Sequence, residues 1–507
     1  MKTLLKDWNK SLRFAFSGLF LFSFSLILLN VIFNKTVYRY NTFLLIFFMA
    51  LFLGGLVAVS VWLLKKKAFF DKYYKETVVI AVSFLFCVQI VLGLFLQFDP
   101  MWDLEAIYQG AISWVETGTF TQYNSDTCHG DYFYIFPNNL GSMAFLAFFF
   151  KIANLLGIHA YFTVASIVNS IMIVLAMVFA QAVCKRLYGT MCGIFVMLLF
   201  LCSLPFYFMG PIFYTDALSL MFPLAAFYGL LKAEDAGKSG SKIGWYIFTA
   251  AMCFLGAMIK MTVLIFVIAA FLYFILKKRW VEMITFICIS IAVIGLGFFS
   301  FNSYMYSTHL DKVKADQTNM PIHYWLDLAV HGQGRYDNNI FWNAHNESDP
   351  ESRKEMLIQD IKQEVKKHGV CGMYELFEEK STRAFGDGTY ALSDFLDDRP
   401  VKQNRFLHKI LLYNGEHYDA YSMIATAIFL SMQILMLLSV CFKKTDFKLL
   451  IPQLCVFGVM LFLLCWEVNS RYITTIIPCI LVCAAKGISG LSELAERRFR
   501  KAESYSK

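Results

Sequence analysis

The sequence predicts an all-α, polytopic membrane protein: about twelve transmembrane helices, juxtamembrane helices in one outer loop, and one α-rich extracytoplasmic segment. Three observations point there. The 507 residues are 58% hydrophobic and 16% charged, against about 25% charged in a soluble domain. The apolar residues fall in repeated runs of about 20, the length that crosses a hydrocarbon core. A membrane barrel would instead show short alternating segments. Third, the net charge of +8 is carried by Lys and Arg in short loops between those runs, where such residues set orientation. The basic balance therefore points to a lipid bilayer as partner and not to nucleic acid.

Taken in order, Lys2, Lys6, Lys10 and Arg13 place the N-terminus in the cytoplasm. The first apolar run has no small-residue cleavage site after it and reads as a retained span. Spans are expected at 14–33, 42–64 and 77–96, with the basic "KKKAFFDKYYKE" inside and Asp103 outside. Segment 138–157, "NNLGSMAFLAFFFKIANLLG", is long enough to cross. If it did, "CKRLYG", "KAEDAGKSGSK", "KKR" and "FKKTDFK" would all fall on the wrong face. We therefore expect it to lie along the interface. Further spans follow at 160–183, 190–209, 216–232, 243–258, 261–276, 281–301, 420–441, 448–465 and 472–490, with both termini cytoplasmic.

Residues 302–419 form the one long hydrophilic stretch and fall outside. Within it "DPESRKEMLIQDIKQEVKKHG" reads as a helix opened by Asp-Pro and stopped at Gly369. The 13 cysteines contain no CxxC and lie mostly in apolar runs, as small buried hydrophobes. Cys128 and Cys371 lie outside the spans and could pair. "CHG" at Cys128–Gly130 is not a metal spacing, and His309, His323, His331 and His345 are too scattered to argue for zinc. "NES" at Asn346 has meaning as a glycosylation acceptor only in a eukaryotic secretory host.

Few charges fall within the spans, and several gather at their outer ends. These are Asp103 and Glu105, Asp216, Lys260, and Glu467 with Arg471. Ionisable groups at membrane depth are functional hypotheses by default. Each also has a plainer reading. Asp103 could cap an amphipathic helix ending by Gly118, in which Leu104, Ile107, Tyr108, Ala111, Ile112 and Val115 share one face. Asp216 could cap the sixth span. Lys260 could reach to the interface, and Glu467 and Arg471 could be an ion pair four residues apart on a helix.

A family resemblance adds to this. "WDLEAIYQGA" resembles the first outer loop of membrane glycosyltransferases of the GT-C fold, the protein O-mannosyltransferase-like and aminoarabinose-transferase-like proteins. "YFYIFPNNLGSMAFLAFFFKI" is similar to their juxtamembrane helix, "CKRLYG" to their inner turn, "PIFYTDALSL" to their second outer acid and "NSRYITTIIPCIL" to their last span. "MPIHYWLDLAVHGQGRYDNN" and "FEEKSTRAFGDGTYAL" resemble a branch of Gram-positive bacteria. The juxtamembrane helix departs from the pattern, with "FPNN" where His-Pro-Pro would stand.

The likeness runs from about residue 77 onward and implies a division into four parts. Residues 1–76 hold two extra helices, 77–301 a GT-C-like core with outer loop 97–159, 302–419 the outer segment, and 420–507 the last helices and a cytoplasmic tail. It implies sugar transfer on the outer face of the cell membrane, from a polyprenyl-phosphate-linked donor to a cell-envelope glycan, lipid or protein. Asp103 would be the catalytic carboxylate, with Glu105 in reserve. Asp216 would build the site or hold a divalent cation where one is used. Arg471 and Lys260 would meet the donor phosphate, and the outer segment, as lid or acceptor platform, offers His323, Lys380 and Asp387 as further candidates, with Arg383 in the same family-like motif. A lipid-linked-sugar flippase or transporter, a polysaccharide polymerase or ligase, and a non-catalytic scaffold are the competing classes.

Overall fold

The structure is a computed structural model that describes residues 2–125, 128–397, 399–442 and 446–505, with side chains between 11 and 498. Among the described residues there are helices and no strands, only two isolated bridges. The principal helices are α1 Lys2–Phe33, α2 Thr42–Lys65, α3 Tyr74–Phe95, α4 Trp102–Thr117, α5 Leu140–Leu155, α6 Tyr161–Tyr188, α7 Thr190–Cys202, α8 Phe222–Asp235 and α9 Ser239–Ile259. They continue with α10 Ile265–Lys277, α11 Trp280–Thr308, α12 Ile322–Val330, α13 Asn338–Asn346, α14 Pro350–Phe385, α15 Tyr418–Cys441, α16 Leu450–Leu464 and α17 Ile477–Tyr505.

Ten described helical stretches are long and apolar enough to cross a membrane, and two expected spans are shorter apolar helices, Thr190–Cys202 and Met261–Lys277. The last span is central. Its most apolar window is wholly buried within the protein, against 11% of the corresponding window in Trp280–Thr308 at the rim. Close approach needs small residues: a Cβ on Gly487 of α17 would strike the Leu435 carbonyl of α15. The expected span 216–232 is broken into a turn, Thr215–Leu218, and α8. Pro223 has no N–H for the Ser219 carbonyl, so one continuous helix is unavailable.

The parity question is answered by which ends meet. Arg186 pairs with Asp235, and Glu234 pairs with Arg279 at 2.9 Å and Lys448 at 3.0 Å. The loops after α6, α8, α10 and α15 therefore share one end of the bundle. Helix α5 begins at the other end, where Ser142 donates to the Ile259 carbonyl at 3.1 Å. It also finishes beside the start of α6, with the Phe150 and Tyr161 rings 5.0 Å apart. That start lies with the exit of α3, through Phe98 and Phe162 at 5.6 Å. Both ends of α5 thus stay at one end of the bundle. Lys443 and Lys444 of "FKKTDFK" lie outside the described residues, as do the side chains of Lys2, Lys6 and Lys10.

Beyond that end, α12, α13 and α14 enclose a small second core of Met320, Tyr324, Leu328, Ile340, Ala344 and Leu357. The helix expected to stop at Gly369 is interrupted there by φ 59°, then resumes to Phe385. Cys128 is buried and Cys371 exposed, and no disulfide joins them, so the pairing entertained for them does not form.

Candidate active site

Helix α4 carries the first acid. Leu104, Ile107 and Ala111 are buried as its inner face, and Gly118 ends it at φ 80°. The cap position is Met101, with no side-chain cap bond. Asp103 is therefore not spent on capping. Its two oxygens each take one phenol, Tyr132 Oη on Oδ1 at 2.8 Å and Tyr214 Oη on Oδ2 at 2.9 Å. Asn139 supports the first clamp by donating Nδ2 to Tyr132 Oη at 2.5 Å. A carboxylate has about four lone-pair sites, so two remain open. The side chain is held by two rigid rings yet only half-buried. Glu105 sits in the same turn but is 5% exposed.

The same Tyr214 links Asp103 to the cations. The guanidinium of Arg471 lies 4.8 Å from the Tyr214 ring centroid, 5.2 Å from Phe395 and 5.3 Å from Tyr472. That is an aromatic cage around one cation. Its Nε stands 3.9 Å from Asp216 Oδ2. Neither of those two atoms has a hydrogen-bond partner among the described residues. Asp216 pairs through its other oxygen with Lys260, whose ammonium lies 4.8 Å from the Tyr472 ring. Tyr472 donates to Glu467 at 3.0 Å. Burial pushes the Glu467 carboxyl up, with Arg471 opposing. Asp103, Asp216, Lys260, Arg471 and Glu467 thus form one chain of contacts. Tyr214, Asp216, Tyr390, Phe395 and Arg471 line a narrow cleft beside this chain.

The simpler readings of these charges do not hold. Residues 465–469 are not helical, so Glu467 and Arg471 are not a helical ion pair. Lys260 does not reach outward: its side chain is 13% exposed and paired. Asp216 is not a cap, since Tyr214 holds that position without a side-chain bond. A divalent ion does not fit at Asp216 either. That carboxylate already faces two cations, and a third at contact distance would be repelled.

Of the outer-segment candidates, Asp387 and Lys380 are engaged elsewhere. Asp387 accepts Thr389 N at 2.8 Å and Thr389 Oγ1 at 2.6 Å on one oxygen, and Ala391 N at 3.0 Å and Ser470 Oγ at 2.7 Å on the other. It holds Tyr390 and Ala391 in left-handed backbone, φ 55° and 53°, and ties that loop to the residue before Arg471. Lys380 donates to the Ala329 carbonyl at 2.8 Å and the Leu464 carbonyl at 2.9 Å. Burial holds its ammonium down to about 8. His323 stands on α12 with Nδ1 buried and without a hydrogen bond. No described contact joins His323, Lys380 or Asp387 directly to the Asp103 group. The residues missed in sequence are Tyr132, Tyr214, Tyr472 and Phe395. The signals were Tyr214, two positions before Asp216 in "FYTDALSL", Tyr472, next to Arg471 in "NSRYITTIIPCIL", and Tyr132, at the head of "YFYIFPNN".

Comparison with known proteins gives the following. No curated protein matches the chain in sequence. Among solved structures, ArnT from Cupriavidus metallidurans bound to undecaprenyl phosphate is similar with a TM-score of 0.37 and 10% identity, over 82% of this chain and 78% of that one. Its apo state gives 0.37, 10%, 83% and 76% in the same order. Archaeal oligosaccharyltransferase AglB from Archaeoglobus fulgidus, in complex with an inhibitory peptide and a dolichol-phosphate, gives 0.36 and 10%, over 82% of this chain and 50% of that one. A family model described as "Conserved hypothetical integral membrane protein" matches residues 4–489, and the chain belongs to that family.

Proposed function

We propose that this protein is a membrane glycosyltransferase that moves a sugar from a polyprenyl-phosphate-linked donor to an acceptor hydroxyl on the outer face of the cell membrane. The observation that carries the reading is the pairing of a clamped, accessible carboxylate with a caged, hydrogen-bond-free guanidinium nitrogen across a single tyrosine. The motif resemblance noted in the sequence supports the same class.

The acceptor oxygen attacks the anomeric carbon as the bond from that carbon to the phosphate oxygen breaks. The electron pair leaves with the polyprenyl phosphate, and the acceptor proton passes to Asp103. The Tyr132 and Tyr214 hydroxyls fix the direction of the carboxylate and leave lone pairs for that proton. Arg471 meets the charge that grows on the leaving phosphate, and Lys260 adds a second positive charge one residue further off, beyond Asp216. One carboxylate with in-line attack gives inversion, since a retaining path asks for a second carboxylate about 5 Å from the first. Both termini are then cytoplasmic, because the loops that meet at the far end of the bundle carry the excess Lys and Arg.

Substituting Asp103→Asn keeps the shape and removes the base. Transfer from an undecaprenyl-phosphate sugar should fall by about 10²–10⁴-fold, with unchanged membrane insertion and melting temperature. Wild-type turnover in the purified variant would remove Asp103 from the mechanism.

A further inference from the structure

The strongest unassigned cluster lies where α12 meets α14. Asp327 is 1% exposed, and its Oδ2 receives no hydrogen bond among the described residues. His331 Nδ1 is 3.2 Å from Asp327 Oδ1 and 3.0 Å from the Asp327 carbonyl. On the other side of the ring, Nε2 is 3.7 Å from Asp360 Oδ1 and 4.0 Å from Glu364 Oε1. Three carboxylates therefore surround one imidazole. The cations nearby are Lys367, spent on Glu364 at 2.9 Å, and His368, whose Nε2 is 2.9 Å from the Val330 carbonyl.

We propose that Asp327, His331 and Asp360 bind a divalent cation of borderline character, Zn²⁺ foremost, with Glu364 at its edge. One ligand atom from each of the three lies within 4.8 Å of the others. Ligands at about 2.0–2.2 Å around a tetrahedral ion stand about 3.3–3.6 Å apart, so a small closure completes the set. Two carboxylates and an imidazole suit such an ion. A buried carboxylate oxygen without a donor is the group such an ion satisfies. Asp360 is 45% exposed at its side chain, which leaves a route in from solvent.

The position gives the ion a purpose. His331 opens the turn "HGQGRYD", in which the Gly334 carbonyl accepts Val468 N at 2.7 Å, three residues before Arg471. Burial pushes the Tyr336 phenol in that turn up, and the charges of Asp103 and Glu467 raise it further. A bound ion would lock α12 to α14 and steady the turn that receives Val468 N. The site is independent of the chemistry assigned to Asp103.

The test uses the full chain in detergent, stripped with a chelator and titrated with Zn²⁺ alone, with bound metal counted after gel filtration. One equivalent is expected in the wild type and in Asp103→Asn, and binding at least 10-fold weaker in His331→Ala. Asp360→Asn, at a half-exposed position, should show the same loss without a folding defect. No stoichiometric metal in the wild type, or wild-type binding retained in both Asp360→Asn and His331→Ala, would overturn the proposal.

Discussion

Two polar regions of this protein lie only a few residues apart along the last span, and they are built in opposite ways. Around Asp387 every acceptor position meets a donor: two backbone amides and two hydroxyls converge on one carboxylate. Lys380 nearby is likewise spent on two carbonyls. Around Asp103 and Arg471 the polar groups are held in place and left unfinished. Asp103 keeps lone pairs, and Arg471 Nε and Asp216 Oδ2 face each other without hydrogen bonds. A saturated buried charge stabilises a fold, whereas a fixed and unsaturated one can still act on a substrate. The contrast assigns shape to the first region and chemistry to the second.

Exchanging the effects of the two regions would break this contrast. Asp387→Ala strands four donors and should destabilise the protein by about 4 kcal/mol, given about 1.5–3 kcal/mol per hydrogen bond to a charge and incomplete additivity. The loss is read as a fall in melting temperature in detergent. Donor affinity of the folded fraction should stay near wild type. Arg471→Ala should do the reverse. Losing a guanidinium from a desolvated phosphate costs about 2–3 kcal/mol, or roughly 30–150-fold in donor affinity, measured by binding of undecaprenyl phosphate. Unchanged affinity there would reject Arg471 as the phosphate partner. Tyr214→Phe sharpens the picture at the small end. It removes one of two clamps on Asp103, worth about 1 kcal/mol or roughly 5-fold in turnover, with little change in donor binding. A fall in binding instead would make Tyr214 a donor contact.

Much of the fold was legible because its signal is local. Apolar runs mark spans, basic loops mark a side, and the charge parity alone placed α5 along one end of the bundle. The short α7 was not legible, because neighbouring helices permit it. At the site, Asp103, Asp216, Lys260, Glu467 and Arg471 stood out as charges at span ends. Their tyrosine clamps did not. With 26 tyrosines and 52 phenylalanines in the chain, which phenol points at which acid is a tertiary fact. Lys380 and Asp387 were conspicuous for the opposite reason. Buried charges that hold a loop together look, in sequence, like charges that hold a substrate. His331 was discounted for lack of a spacing pattern, because its partners Asp327 and Asp360 come from two different helices.

The most direct measurement is the position of the phosphate in a structure of this protein bound to undecaprenyl phosphate. The account predicts the phosphate within hydrogen-bonding distance of Arg471, about 3 Å, and on the Asp103 side of Tyr214. A phosphate seated at the Glu234–Arg279–Lys448 end of the bundle, with the Arg471 cage empty, would contradict it.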